Sequence, residues 1–149
     1  MSISRRQMLG VSAGFAMMSV AGTRIALADV EATDKFIMEF TGGKKPETGK
    51  ITLTAPEIAE NGNTVPVSVE VESAMTDGDL VESVLLVADG NPNPDVATFH
   101  FTAMSGTAAA TTRMRLAKTQ NVIAVAKMAD GSVFMDKKEV KVTIGGCGG

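Results

Sequence analysis

From Ile51 to Ile144 the chain repeats one pattern: apolar residues at every second position in short runs, each run closed by proline, glycine, asparagine or aspartate. Successive side chains of a strand point to opposite faces, so this pattern builds half-buried strands and little else. The plainest case is Val65, Val67, Val69 and Val71, opposite Pro66, Ser68, Glu70 and Glu72. Pro66 has no N–H for a ladder, which puts that end of the strand at a sheet edge. Before it, Ile51 and Leu53 alternate with Thr52 and Thr54 until Pro56, and Asn61-Gly62-Asn63 forms the intervening turn.

The same logic carries through the rest of the chain. Leu80 to Ala88 is apolar on both faces, with Glu82 its only charge, so it is central or lies under a partner. Asp89 to Asp95, with Gly90, Pro92 and Pro94, is a rigid loop. Phe99, Phe101 and Ala103 then alternate with Thr98, His100 and Thr102, and Thr111, Arg113 and Arg115 with Thr112, Met114 and Leu116. Val122 to Met128 and Val133 to Met135 flank Asp130-Gly131, a hairpin signal. Val140, Val142 and Ile144 form a last strand. At the other end, Val30, Thr33, Phe36, Ile37 and Phe40 share one face of a short helix over Val30 to Phe40, and Gly42 stands at its C-terminal cap position. Six to eight short strands, with turns every ten residues or so, predict an all-β, immunoglobulin-like antiparallel β-sandwich with a short N-terminal helix. Having a single cysteine and no tryptophan, it is not an antibody-type domain.

Ahead of this body stands an export signal. Arg5 and Arg6 precede an uncharged stretch from Met8 to Val20, too short to span a bilayer, and Ala26-Leu27-Ala28 is a small-x-small cleavage site. Residues 1–28 are therefore expected to be a twin-arginine signal peptide, with cleavage between Ala28 and Asp29, export to the periplasm, a sandwich over 29–144 and a flexible arm over 145–149. Removing 1–28 takes away Arg5, Arg6 and Arg24 and no acid, which leaves 121 residues with 11 basic and 17 acidic side chains. A formal charge of minus six argues against a nucleic-acid partner. No basic cluster suits an anionic membrane surface, and no later apolar segment is long enough to cross one.

The body offers little catalytic chemistry. His100 is the only histidine, and it stands among alternating phenylalanines without the cysteine or carboxylate spacing of a metal site, so no metal and no cofactor is expected. Asp77, Asp79, Asp89 and Asp95 lie in turns and serve the backbone. Met38, Met75, Met104, Met114, Met128 and Met135 follow no metal-binding spacing and suit core and interface filling.

What remains is Cys147, set between Gly145-Gly146 and Gly148-Gly149. Glycines hold no regular structure and obstruct nothing, so these five residues predict a swinging arm of at most about 17 Å carrying an exposed thiol. In an oxidising compartment that thiol is free, modified, or paired with another chain. No tail residue supplies a cation to activate the thiolate, so reactivity would come from a partner enzyme. The protein would carry, and others would catalyse. Two other readings of the tail stand beside this one: an assembly module whose cysteine only forms an interchain disulfide, and a ubiquitin-like carrier working through its terminal carboxylate, against which the leader argues.

The ending Val142-Thr143-Ile144-Gly145-Gly146-Cys147-Gly148-Gly149, with Pro92-Asn93-Pro94, the segment Thr112 to Thr119 and the twin-arginine leader, resembles the SoxY family. Its members are sulfur-carrier subunits of the SoxYZ complex of bacterial thiosulfate oxidation. The resemblance implies that Cys147 is the covalent attachment point. It also implies a β-sandwich partner, SoxZ, exported with this chain. A c-type cytochrome, SoxAX, would couple thiosulfate to Cys147, a hydrolase, SoxB, would release sulfate and leave a cysteine persulfide, and in some systems a sulfur dehydrogenase, SoxCD, would act next.

Overall fold

The computed structural model describes residues 23–146, with side chains from Val30 onward. Arg5 and Arg6 of the expected signal, and Cys147, Gly148 and Gly149 of the expected arm, lie outside the described residues. The chain runs through a helix, α1 (Thr23–Thr41), and eight strands: β1 (Ile51–Thr54), β2 (Ile58–Asn61), β3 (Val65–Val71), β4 (Val81–Ala88), β5 (Asp95–His100), β6 (Ala108–Met114), β7 (Gln120–Met128) and β8 (Val133–Ile144). They form two sheets, one ordered β1-β3-β6 and the other β2-β8-β7-β4-β5. Every pairing is antiparallel except that of β2 with β8, which is parallel. The sandwich expected from the sequence is thus present, with one parallel pair added.

The core lies between the sheets. Leu53, Val65, Val67, Val69 and Val71 from one sheet meet Val84, Leu86, Val122, Ala124, Ala126 and Val140 from the other. Burying each of the larger side chains contributes about 1.5–3 kcal/mol. The two sheets are also tied by a polar contact: the Leu53 N–H donates to Asp136 Oδ2 of β8 at 2.9 Å. β1 stops at Thr54, opposite Ser68, so the start of β3 is bonded only to β6, where Pro66 pairs with Arg113. Pro66 therefore stands at a local edge, as its missing N–H requires.

The two apolar faces of β4 have separate partners. Val84, Leu86 and Ala88 enter the main core, whereas Leu85 and Val87 join Ile123 and Val125 of β7 beneath Ile37 of α1. The second face is covered by the chain's own helix. The helix is also longer than the expected Val30–Phe40. It begins at Thr23 and passes through the Ala28–Asp29 junction. At its other end Gly42 adopts φ 66° as the cap, with Gly43 N–H donating to Met38 O at 2.9 Å and Gly42 N–H to Glu39 O at 3.4 Å.

Three further differences have physical reasons. The expected strands at 133–135 and 140–144 are one continuous β8, because β7 pairs through the polar Lys137, Lys138 and Glu139 between them. β2 escaped the alternation test because only Ala59 of its four residues is buried. β5 ends at His100, and Ala103–Ser105 is a 3-10 turn rather than strand. No helix among the described residues is long and apolar enough to cross a membrane.

Candidate functional site

β8 leads to the tail, and its last residues change partners on the way. Through Val140 it pairs with β7, and from Lys141 to Ile144 it lies parallel to Ile58–Asn61 of β2. Thr119 adds a side-chain grip, its Oγ1 accepting from Val142 N–H at 2.9 Å. Beyond Ile144 the chain enters a frame of backbone hydrogen bonds. Gly62 N–H donates to Ile144 O at 2.8 Å, Leu116 N–H donates to Gly62 O at 2.8 Å, and Gly146 N–H donates to Leu116 O at 2.9 Å.

This frame accommodates no side chain at its three glycines. A Cβ on Gly62 would lie 2.3 Å from Leu116 O, and one on Gly145 would lie 2.2 Å from Ala117 O. A Cβ on Gly146 would lie 2.6 Å from Arg115 Cγ and 2.9 Å from Gly62 O. Gly145 and Gly146 were expected to be flexible arm. They are instead the held root of it, with Gly146 buried, and glycine is required there by close approach of backbone. Gly145 and Gly146 are therefore not part of a free arm.

A second ring of polar side chains ties the β6–β7 loop, which bears on the root, to the β4–β5 loop. Asn91 Nδ2 donates to Arg115 O at 2.8 Å, and Asn91 Oδ1 accepts from Ala117 N–H at 3.0 Å and from Gln120 Nε2 at 2.9 Å. Gln120, 5% exposed, also donates to Lys118 O at 3.0 Å and accepts from Gly90 N–H at 2.7 Å. Asp89 completes the loop by accepting from Asn121 N–H at 2.8 Å and Asn121 Nδ2 at 2.7 Å. Sequence reasoning missed Gly62, Asn91 and Gln120. Gly62 sat in an obvious turn signal, and nothing in the sequence marks an amide that supports a loop from one that faces water.

The remaining candidates lie apart from this frame or take a structural part. His100 is exposed on the edge strand β5. Asp79 sits in the β3–β4 turn, its carboxylate held below the ordinary range first by the Ala74 N–H and then by Lys50, despite some opposing desolvation. Asp130 in the β7–β8 hairpin is lowered first by the Ser132 hydroxyl and then by the Ser132 N–H. Among the described residues no group of three or more His, Cys, Asp or Glu side chains is arranged to hold a metal. The site consists of what converges on the arm root: the loop after β4, the loop after β6, the β2–β3 turn and the end of β8.

Comparison with known proteins bears on this convergence. The family model for the sulfur oxidation protein SoxY matches residues 37–147, which takes in the body, the root and Cys147. No curated protein matches the chain. Among solved structures, the sulfur carrier protein SoxY from Chlorobium limicola f thiosulfatophilum is similar at 33% identity and TM-score 0.62, over 76% of this chain and 98% of that one. A superoxide reductase (neelaredoxin) from Ignicoccus hospitalis has TM-score 0.56 at 21% identity, over 64% of this chain and 81% of its own. A putative superoxide reductase from Thermotoga maritima has TM-score 0.54 at 17% identity, over 69% and 89%. These last two share the fold alone. With the family model spanning the sandwich and the root, this chain belongs to the SoxY family of sulfur-oxidation carrier proteins.

Proposed function

We propose that the protein works in the periplasm as a covalent sulfur carrier, holding thiosulfate-derived groups on Cys147 and presenting them to the enzymes of the Sox pathway. The observation that carries this reading is the place of Cys147 in the sequence, one residue beyond Gly146, where the end of β8, the β2–β3 turn and the β6–β7 loop fix the chain. The family match extends to Cys147. A folded body that immobilises the residue before its thiol, with glycines after it, presents that thiol without side chains to obstruct a narrow active site.

The chemistry balances without a catalytic group on this chain. Joining the Cys147 thiol to the outer sulfur of thiosulfate forms an S–S bond, releases the thiol proton and passes two electrons to the c-type cytochrome SoxAX. Water then attacks the terminal sulfur in SoxB; sulfate and a proton leave, and a cysteine persulfide remains. SoxCD, where present, would oxidise that persulfide further. SoxZ would accompany the chain as its β-sandwich partner. Because the chain is held through Gly146, an enzyme that reaches Cys147 must close on the sandwich end itself, and the loops around Asn91 and Arg115 are the surfaces it meets.

Intact mass spectrometry of the protein after exposure to thiosulfate and the partner enzymes tests the reading. Sulfur adducts are expected on Cys147 and absent in Cys147→Ser. Full thiosulfate-dependent respiration with Cys147→Ser would refute it, and a functional state that is a Cys147 disulfide dimer would favour the assembly-module reading.

A further inference from the structure

The outer face of the five-stranded sheet is only partly covered. α1 lies over β4 and β7, and between its flank and β8 the structure leaves an open cleft of about 510 Å³. Its apolar lining comes from Ile37 and Met38 of α1, Ile123 of β7 and Met135 of β8. Val87 and Val125 of the cluster beneath α1 are fully buried, whereas Ile37 and Ile123 keep a little of their surface on the cleft. Met38, 50% exposed, stands at its edge. Apolar surface left against water favours an occupant, and this volume lies in the range of about 300–1,000 Å³ that takes a small molecule. The two methionines adapt their side chains to the shape of what enters.

The polar groups of the cleft say which charge it accepts. Lys137 is the register partner of Ile123 and stands two residues past Met135, on the same face of β8; Lys45 comes from the loop after α1. Neither lysine has a side-chain hydrogen bond or ion pair among the described residues, unlike the adjacent Lys44, which donates to Gly131 O at 2.7 Å. Asp34 is the only acid lining the cleft among the described residues, one negative charge against two positive. A lysine ammonium on its long stem follows an anionic head without demanding one fixed geometry. We infer that the cleft between α1 and β8 is a binding site for a small single-chain anion, with its apolar chain on Ile37, Met38, Ile123 and Met135 and its head on Lys45 and Lys137. The site uses no residue of the tail, so the inference stands independently of the carrier reading.

Octanoate is the probe, titrated into the full chain labelled on its methionine methyl groups and followed by NMR. The Met38 and Met135 signals should shift and saturate with one shared Kd. Met104, 96% exposed in the turn after β5 and outside the cleft, should not move. Hexanoate should bind up to about fifteenfold more weakly for its two missing methylenes, and octyltrimethylammonium should give no saturable shift. Lys45→Gln and Lys137→Gln, both at exposed positions, should each raise the octanoate Kd about threefold at low salt and together about tenfold, and added salt should narrow the difference. Met38→Glu, also on the surface, sets a negative charge at the edge and should weaken binding further, as read at Met135. An equal shift at Met104, an unchanged Kd in the double lysine variant, or equal binding of octanoate and octyltrimethylammonium would overturn the inference. So would Met38 and Met135 signals that ignore octanoate but follow dilution of the protein, which would assign the cleft to a second copy of the chain, or follow phosphatidylglycerol vesicles, which would assign it to a membrane surface.

Discussion

The flank under α1 and the root of the tail are built on opposite principles. On the flank, Ile37 lies over Leu85, Val87, Ile123 and Val125, all apolar and each exchangeable for another side chain of similar volume. At the root, Gly62, Gly145 and Gly146 are held by backbone contacts in which no other residue fits. The flank supplies stability that many sequences could supply. The root supplies position, which few can.

Substitutions should separate these two contributions. Leu85→Ala, at a site only 4% exposed, should cost about 3 kcal/mol in denaturant unfolding, as large-to-small core changes do. Sulfur loading of Cys147 per folded molecule should not change. Gly62→Ala should cost about 2 kcal/mol, since its Cβ would press on the Leu116 carbonyl and the Gly62 carbonyl would be pulled from Leu116 N–H. Here the loading rate of the molecules that stay folded should also fall, because the exit of Cys147 is displaced. Equal loading in the two variants would remove the distinction between flank and root.

Gln120→Ala sharpens the comparison within the root. It strands the Gly90 N–H and frees Asn91, and the expected loss is about 1.5 kcal/mol. Its diagnostic effect is on loading: the rate at which folded molecules take sulfur on Cys147 should fall by less than in Gly62→Ala, because the backbone bonds among Gly62, Leu116 and Gly146 are left in place. Gly42→Ala is the control glycine, with φ 66° and open space where a Cβ would point. Conformational strain alone should cost about 1 kcal/mol, with no effect on loading.

The same contrast explains what was legible beforehand. Alternating valines in β3, the Asp130-Gly131 hairpin and the Gly42 cap each follow from local rules that the residue itself obeys, and the structure shows all three. The doubly apolar Leu80 to Ala88 stretch announced a cover but not whose, because periodicity records burial and not the identity of the covering surface. The glycines before Cys147 show where local reasoning stops. Gly145 and Gly146 look like free chain because glycine is used both for freedom and for close approach, and only the distant Gly62, Leu116 and Ala117 decide between the two.

The smallest effect is a matter of charge, and it divides the molecule in the same way. Asp79 organises the turn before β4: its Oδ2 accepts from Ala74 N–H at 2.8 Å, and Lys50 Nζ lies 3.5 Å from Oδ1. Its folded pKa is lowered below the ordinary 3.8, so the carboxylate binds protons less readily when folded than when unfolded. Its contribution is therefore present above about pH 3.8 and is lost as pH falls below that value through the folded pKa. In an NMR titration the Ala74 amide proton should move with Asp79 as acid is added, and Asp79→Asn should abolish the movement. The Gly146 amide, whose acceptor is the Leu116 carbonyl, has no ionising partner in that bond and should stay in place over the same range. A Gly146 amide that shifted together with Ala74 would mean that acid loosens the root as well as the turn, and that the position of the thiol depends on charge as much as on backbone fit.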